Sequence, residues 1–309
     1  MGRPLLRYVV ARGLSAFALV FLVASGALLL AETAPGDYAS QFGRDPASIA
    51  AERHRLGLDR AVAEQYGAWL SRTLRLDLGE SFQYHRPVLG LVRERARNTA
   101  ILACAALALA TCVGVPWGLI TGSRGRGPAA ILLQGASLAL LSMPPLITSM
   151  LLLTIAARTG WLPVGGMGTS KHLIVPTVAL GLPLAAAIER LQSQALKDAL
   201  QRPSMLAALA RGVPRPRVVT HHAWRLSVGP LLGIYGVLVG SLFSGSFAVE
   251  LVTSWPGLAD LMRQALMNRD TYLVAGCAAA GALFLALAIL VSDLVHAVID
   301  PRVRTDAGL

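Results

Sequence analysis

Long stretches without a charged residue are the feature of this chain that most restricts its fold. Six of them interrupt a sequence of 309 residues in which 54% of the residues are hydrophobic and 15% are charged. A helix needs about 20 apolar residues to cross the hydrocarbon core of a bilayer, and most of the six stretches approach that length. The sequence therefore predicts an all-α polytopic membrane protein in contact with lipid, with six transmembrane helices over 13–31, 99–121, 127–157, 173–188, 226–249 and 271–292.

Two of these stretches contain prolines. The third has the pair Pro144-Pro145, which is expected to break the helix and to free backbone carbonyl groups. The fourth is the weakest, because it has 16 residues and includes Pro176 and Pro183. We expect it to recruit neighbouring residues or to end close to the membrane interface at Glu189.

The first stretch follows three arginines, which is also the pattern of a secretory signal peptide. An uncleaved first span is favoured, because the stretch is longer than a signal core of about 7–15 residues and five further spans follow.

The Lys and Arg residues beside the spans predict the orientation. With the N-terminus inside, the cytoplasmic segments contain three, two, seven and two of them, including Arg3, Arg7, Arg12, Arg124, Arg126, Arg302 and Arg304. The short outer loops contain only Arg158, Lys171, Arg263 and Arg269. By the positive-inside rule both termini are predicted to be cytoplasmic, so the net charge of +11 is largely a topology signal and no nucleic-acid partner is expected.

This topology divides the chain into three parts. Residues 1–32 form the N-terminal segment and first span, and residues 33–97 form an extracytoplasmic loop. Residues 98–309 form a five-helix core, which includes a large cytoplasmic loop at 192–225.

The sequence contains none of the nucleotide-binding or catalytic motifs for which we searched. There is no G-x-x-x-x-G-K-[ST], H-E-x-x-H or G-x-S-x-G motif, so no ATP site, cofactor or catalytic residue is predicted on this chain. Its three cysteines fall inside predicted spans, and the adjacent His221 and His222 lack a third ligand, so no metal site is predicted.

A bent basic segment occupies the large cytoplasmic loop. Residues 192–211 read as a helix broken at Pro203, and Gly212 can end it in a left-handed conformation. Pro214 and Pro216 prevent its immediate resumption, and a second helix is expected from about Arg217 into the fifth span. Small side chains, including Ala207, Ala208 and Ala210, and several arginines predict a knob that another protein can bind. The alternative is a loop that only satisfies the positive-inside rule or contacts anionic lipid.

The sequence of this knob resembles the signature loop of permease subunits of ATP-binding-cassette importers, in which Glu-Ala-Ala is followed by three residues and Gly. Leu206 stands here where that pattern has an acid. Further stretches resemble the first permease of the dipeptide, oligopeptide and nickel branch: "LGLDRAVAEQYGAWL" (56–70), "LDLGESF" (76–82), "RPVLGLVRERARNTA" (86–100), "TGWLPVGG" (159–166), "SWPGLADLM" (254–262) and "DPRVR" (300–304). The resemblance covers almost the whole chain.

The resemblance implies a division of labour within the inner membrane. A second homologous permease completes the pathway, two ATPase subunits bind ATP and magnesium, and an extracytoplasmic substrate-binding protein delivers the substrate. The coupling loop that docks on an ATPase would then comprise Leu206, Ala207, Ala208, Arg211, Gly212, Pro214, Arg215 and Arg217.

The outer loop contains an amphipathic pattern over 61–78. Val62, Tyr66, Trp69, Leu70 and Leu74 fall on one side of a helix there. Such a helix is either a structural cap or, as the resemblance suggests, a docking element for the binding protein through Tyr66, Trp69 and Arg72.

Pathway residues are expected around the broken third span, and the candidates are Ser142, Met143, Pro144, Pro145, Thr148 and Ser149. The alternative is that these hydroxyls satisfy the broken backbone or pack between helices. Gly233, Gly236, Gly240 and Gly245 favour close helix packing. For Glu189 with Arg190, and for Asp293 with His296, we expect ion pairing or snorkelling.

The preferred function is the permease subunit of an importer of small peptides, with nickel or another metal chelate as the alternative substrate. An ion-coupled secondary carrier is less favoured, because such carriers usually have buried charges at mid-membrane. An intramembrane enzyme is least favoured, because no catalytic constellation is visible.

Overall fold

A computed structural model describes residues 3–41, 46–123 and 127–299. Within these ranges the regular structure is helical, and an isolated bridge joins Glu80 to Pro87. Some predicted features lie outside the described residues: Arg124, Arg126, the stretch 300–304, and the side chains of Arg3, Arg7, Asp293 and His296.

The helices are α1 (Arg3–Thr33), α2 (Pro46–Leu56), α3 (Val62–Thr73), α4 (Val88–Ser123), α5 (Pro128–Leu141), α6 (Pro145–Thr159), α7 (Ile174–Leu200), α8 (Pro203–Ala210), α9 (Arg215–Arg217), α10 (Trp224–Val252), α11 (Leu258–Met267) and α12 (Thr271–Ile299). Among the residues that the structure describes, five spans are long and apolar enough to cross a membrane: Val10–Ser40, Val88–Ser123, Ser170–Leu200, Tyr235–Val252 and Thr271–Val291. A bent helix pair counts as a sixth if its two helices form one broken span.

The bent pair corresponds to the third predicted span. Ala130–Leu141 and Pro145–Thr159 meet at an angle of 102°, so the expected break at the two prolines is confirmed. Pro144 is extended, with ψ at 142°, and Pro145 begins α6. A proline has no N–H to donate and disfavours a helical conformation in the residue before it, which explains the position of the bend.

The chain forms two compact units, of which the first comprises Met1–Tyr8, Ile101–Trp255 and Leu287–Leu309. Its core surrounds α7, whose buried side chains pack with those of α5, α6 and α10. Of the two alternatives for the fourth span, recruitment of neighbouring residues is confirmed, because α7 continues without interruption through Pro183 and Glu189 to Leu200. Packing on several sides outweighs the local preference of these residues.

The second unit comprises Val9–Ala100 and Pro256–Ala286. One apolar cluster packs α1, α3 and α12 together through Ala24, Leu28, Trp69 and Ala275. Asp270 organises the polar part of this unit: it accepts hydrogen bonds from the Ser81 hydroxyl at 2.6 Å and from the backbone N–H of Leu273 at 3.2 Å. The second of these bonds caps the N-terminus of α12.

The amphipathic helix of the second unit is shorter than predicted. It ends at Thr73, before residues 74–78, and Leu76 has a left-handed backbone with φ at 61°. Tyr66, Trp69 and Leu70 contribute to the apolar cluster, whereas Val62 and Leu74 are exposed. The predicted apolar face is therefore correct only in its central part.

Candidate functional site

The basic segment folds as a compact turn, which we call the basic knob (residues 203–217). Pro203 begins α8, and Gly212 follows it with φ at 83°. The Gly212 N–H donates to the Leu209 carbonyl at 2.9 Å, and the Val213 N–H donates to the Ala208 carbonyl at 3.2 Å. These two bonds form a Schellman motif, so the predicted helix break and left-handed cap are both confirmed.

The second half of the basic knob leads into the fifth predicted span. α9 begins at Arg215, two residues before the predicted start, and a π-helical turn at Val218–Ala223 joins it to α10. A continuous helical backbone therefore connects the knob to α10, which contains one of the spans long and apolar enough to cross a membrane.

The inner face of the basic knob packs against the end of α7. Met205 and Ala208 of the knob, together with Val218 directly after it, are buried there beside Leu196 and Ala199. Ala208 was expected to present a small side chain to a partner, and that expectation is wrong, because Ala208 points into the knob's own core. A bulky side chain at Ala208 would disrupt this core before it reached any partner.

The outer face of the basic knob is exposed and basic. Leu206 is 56% exposed, and Ala207 and Gly212 are exposed beside it. Arg211, Pro214, Arg215 and Arg217 are exposed as well. Arg215 donates to the Ser123 carbonyl at the end of α4 at 3.3 Å, whereas Arg211 and Arg217 form no ion pair within the described part of the chain. Two guanidinium groups are thus available to carboxylates of another chain.

A second feature of the first unit is a cleft of about 810 Å³, the α5/α7 cleft, lined by residues of those two helices. Glu189 lines it and is only 2% exposed. Its carboxylate accepts hydrogen bonds from the hydroxyls of Thr121 on α4 and Ser137 on α5. The expected ion pairing or snorkelling of Glu189 is wrong, because the extension of α7 holds this residue between two neighbouring helices.

The predicted pathway residues mainly satisfy the broken backbone. The hydroxyl of Ser142 donates to the Leu138 carbonyl at 2.9 Å, and that of Ser149 donates to the Leu146 carbonyl at 2.7 Å. Thr148 donates to the Pro144 carbonyl at 3.3 Å. These contacts match the alternative role that the sequence left open. Met143 is exposed, and Pro145 lines a cavity of about 360 Å³ with residues of α7 and α10.

The predicted docking residues have different surroundings. Trp69 is 2% exposed, and the Tyr66 hydroxyl donates to the Ser25 hydroxyl at 3.1 Å, so both side chains hold α3 in place. Arg72 is exposed and lines a pocket of about 490 Å³ together with Arg55 and Arg60. Of the three, Arg72 is therefore the most accessible to a partner, Tyr66 is partly buried, and Trp69 is buried.

Sequence reasoning missed a glycine motif on α4. Gly114, Gly118 and Gly122 face α7, where an added Cβ at Gly114 would lie 2.5 Å from the Ala185 carbonyl oxygen. Their spacing is the repeated G-x-x-x-G pattern typical of closely packed membrane helices, and it was readable from the sequence. Among the four glycines predicted to pack on the fifth span, Gly245 lies against Leu180 and Pro145.

Comparisons with known proteins match this chain along almost its whole length. Residues 114–305 match a family described as binding-protein-dependent transport system inner membrane component, and residues 5–103 match the N-terminal family of such membrane components. The glutathione transport system permease protein GsiC of Pectobacterium atrosepticum is 33% identical, over 97% of this chain and 99% of the relative.

Two further relatives have the same coverage. GsiC of Escherichia coli is 30% identical, over 97% of this chain and 99% of the relative. A Brucella ovis protein, named as a peptide permease protein, is 29% identical over 97% of this chain and 99% of its own length. The similarity therefore extends over both compact units and is not restricted to one motif.

Proposed function

Since this chain belongs to the family of binding-protein-dependent transport system inner membrane components, we propose that it is one of two permease chains that together form the pathway of an importer for short peptides. The second chain would be a homologous permease. The substrate class is supported by relatives named for glutathione and for peptides, because glutathione is itself a peptide of three residues.

The observation that carries this proposal is the exposed outer face of the basic knob. Two unpaired arginines, an exposed Leu206 and a left-handed Gly212 protrude from a segment whose inner face is packed on α7. In our proposal two separate ATPase chains bind ATP and magnesium and grip this face. Their closing motion would then pass through α9 and the π-helical turn into α10.

The proposed orientation places the basic knob and both termini in the cytoplasm. The support is the number of arginines between α7 and α10 compared with the few in the short loops on the other side. The exposed Arg72 would then face the extracytoplasmic side, where a separate binding protein delivers the peptide.

Purification of a tagged copy from native membranes tests the assembly. We expect mass spectrometry to identify two ATPase subunits with a P-loop and a second permease in the same complex. Uptake of trialanine into vesicles that contain this complex and its binding protein should require ATP. Recovery of the chain alone, from a preparation that still transports without ATP, would contradict the proposal and favour a secondary carrier.

A further inference from the structure

We propose that the α5/α7 cleft binds a short peptide through the two charged ends of the peptide. Glu189 would accept hydrogen bonds from the terminal ammonium group, and Lys197 would contact the terminal carboxylate. This inference rests on the proposed function and names the part of the permease that recognises its substrate. Both residues line the cleft, which is about 810 Å³ in volume. That volume lies within the range of about 300–1,000 Å³ typical of small-molecule sites.

Glu189 has the properties of a cation-binding group. Its side chain is 2% exposed and has no ion pair with any residue that the structure describes. Glu189 accepts hydrogen bonds from the hydroxyls of Thr121 and Ser137. Because a carboxylate has about four acceptor positions, part of its acceptor capacity remains unused. An ammonium group that entered the cleft could donate charge-assisted hydrogen bonds to the remaining acceptor positions.

Ser193 supplies an independent observation one helical turn further along α7. Its side chain is 4% exposed and lines the same cleft. The hydroxyl has no hydrogen-bond partner among the described residues, although such groups are nearly always satisfied in native proteins. A peptide in the cleft offers amide groups that can pair with this hydroxyl.

The spacing along α7 indicates the length of the ligand. Glu189, Ser193 and Lys197 follow each other at intervals of four residues and therefore share one face of the helix. Eight residues of helix correspond to a rise of about 12 Å, which is the extended length of roughly three to four residues of peptide. A phosphatidylethanolamine headgroup has the same two charges, but its two-carbon bridge is too short for this separation.

Binding of matched ligands to the purified complex tests the proposal. The two permeases and two ATPases would be placed in nanodiscs without the binding protein, so that only the membrane-bound chains contribute. The probes are trialanine, N-acetyl-trialanine, which lacks the ammonium group, and trialanine amide, which lacks the carboxylate. Equilibrium dissociation constants would be measured by scintillation proximity with labelled peptides.

The expected results pair each residue with one end of the peptide. Glu189→Gln should weaken trialanine binding by about tenfold, as expected for a hydrogen bond to a charged group, and leave the affinity for N-acetyl-trialanine unchanged. Lys197→Gln should weaken trialanine binding by roughly threefold, because Lys197 is partly exposed, and leave the affinity for trialanine amide unchanged. Asp198→Asn, on the same helix but not lining the cleft, should bind all three peptides as the unaltered chain does.

Several outcomes would overturn the proposal. An equal loss for all three peptides in Glu189→Gln would indicate general damage to helix packing, and an unchanged affinity for trialanine would exclude the site. Loss of co-purified phosphatidylethanolamine from Glu189→Gln without a change in trialanine binding would identify the occupant as lipid. If Glu189→Gln fails to assemble, Glu189→Asp keeps the charge and should still bind trialanine more tightly than its acetylated form.

Uptake by the unaltered importer separates this inference from the proposed function. If the unaltered importer takes up trialanine with ATP but Glu189→Gln does not change trialanine binding, the site is rejected and the proposed function is not. Absence of peptide uptake by the unaltered complex with its binding protein would reject the proposed function, and the site would be rejected with it.

Discussion

Single glycines on α4 determine how closely this helix approaches α7. A Cβ at Gly118 would lie 2.6 Å from the Gln192 Cβ and 2.8 Å from the Glu189 carbonyl oxygen. We therefore expect Gly118→Ala to destabilise the first unit by about 1–3 kcal/mol, the usual cost of overpacking. Gly90→Ala is the matched control on the same helix, because an added Cβ there meets no atom within 4 Å.

This comparison can be measured by heating the purified protein and following the fraction that stays monodisperse on size-exclusion chromatography. Gly90→Ala should leave the apparent melting temperature unchanged or raise it, since alanine is the better helix former. Equal melting temperatures for Gly118→Ala and the unaltered chain would show that α4 and α7 have room to separate.

Asp270 gives the second unit a predictable dependence on pH. Burial raises the pKa of the Asp270 carboxyl above its ordinary value, despite the hydrogen bonds from Ser81 and from the backbone of Gln83 and Leu273. An acid with a raised pKa favours folding in its protonated form, so its contribution is present below the ordinary pKa and is lost as the pH rises through the raised pKa. The contribution of Asp270 to the melting temperature should therefore fall as the pH rises from about 4 towards neutrality.

Asp270→Asn tests this assignment, because it removes the titrating group and keeps its size. The part of the pH dependence that belongs to Asp270 should disappear in thermal unfolding measured across the same pH range. Asp59→Asn, which removes an exposed carboxylate from the same unit, should keep it. The same slope in Asp270→Asn as in the unaltered chain would assign the titration to another group.

At the scale of elements, the shape of the basic knob depends on one backbone conformation. Gly212 has φ at 83°, and an added Cβ there would meet open space, so only the backbone conformation restricts substitution. A left-handed backbone costs most L-residues about 1–2 kcal/mol, whereas Asn tolerates it better. We expect Gly212→Val to abolish stimulation of the ATPase by the binding protein and Gly212→Asn to retain most of it.

ATP hydrolysis by the reconstituted importer, with and without its binding protein, measures this difference. The amount of ATPase subunit that co-purifies with each variant controls for assembly. If Gly212→Val and Gly212→Asn behave alike, a left-handed turn at this position is not required for coupling.

Elements that depend on local chemistry were predictable from the sequence, and those that depend on distant partners were not. The prolines at Pro144 and Pro203 and the glycine at Gly212 act on their own backbone, so the break and the cap were predicted at the correct positions. The burial of Glu189 within α7 involves hydroxyls contributed by Thr121 and Ser137, 68 and 52 residues away, which local sequence does not indicate. A scan for charge-free stretches ends such a span at its first carboxylate.

At the scale of the whole molecule, composition was sufficient to predict the class of protein. The roles of individual residues could be assigned only once their burial was known. The stretches without charge predicted a polytopic helical membrane protein, in agreement with five long apolar helices and one bent pair. These stretches do not indicate which side of each helix packs against the rest of its own compact unit. Ala208 was expected to face a partner, and Trp69 either to belong to a structural cap or to face a partner. Both are buried, because a small or aromatic side chain suits a core as well as an interface.

The orientation of the whole chain in the membrane can be tested with single cysteines. Cys104 and Cys112 are exposed and would first be replaced by alanine, whereas Cys277 is buried. New cysteines would be placed at Leu76, which is 81% exposed, at Leu206, and at Leu132 of α5, which is 75% exposed within an apolar helix. If the knob is cytoplasmic, a maleimide that cannot cross membranes should label Leu76→Cys in intact spheroplasts and label Leu206→Cys only after permeabilisation.

Leu132→Cys serves as the control for lipid exposure in this experiment. A thiol in the hydrocarbon region does not ionise readily, and the thiolate is the form that reacts, so this cysteine should stay unlabelled before and after permeabilisation. Labelling of Leu206→Cys in intact spheroplasts would place the basic knob outside the cell. An ATPase in the cytoplasm could not reach it there, so that single result would overturn the proposed coupling even if every other contact described for the knob were correct.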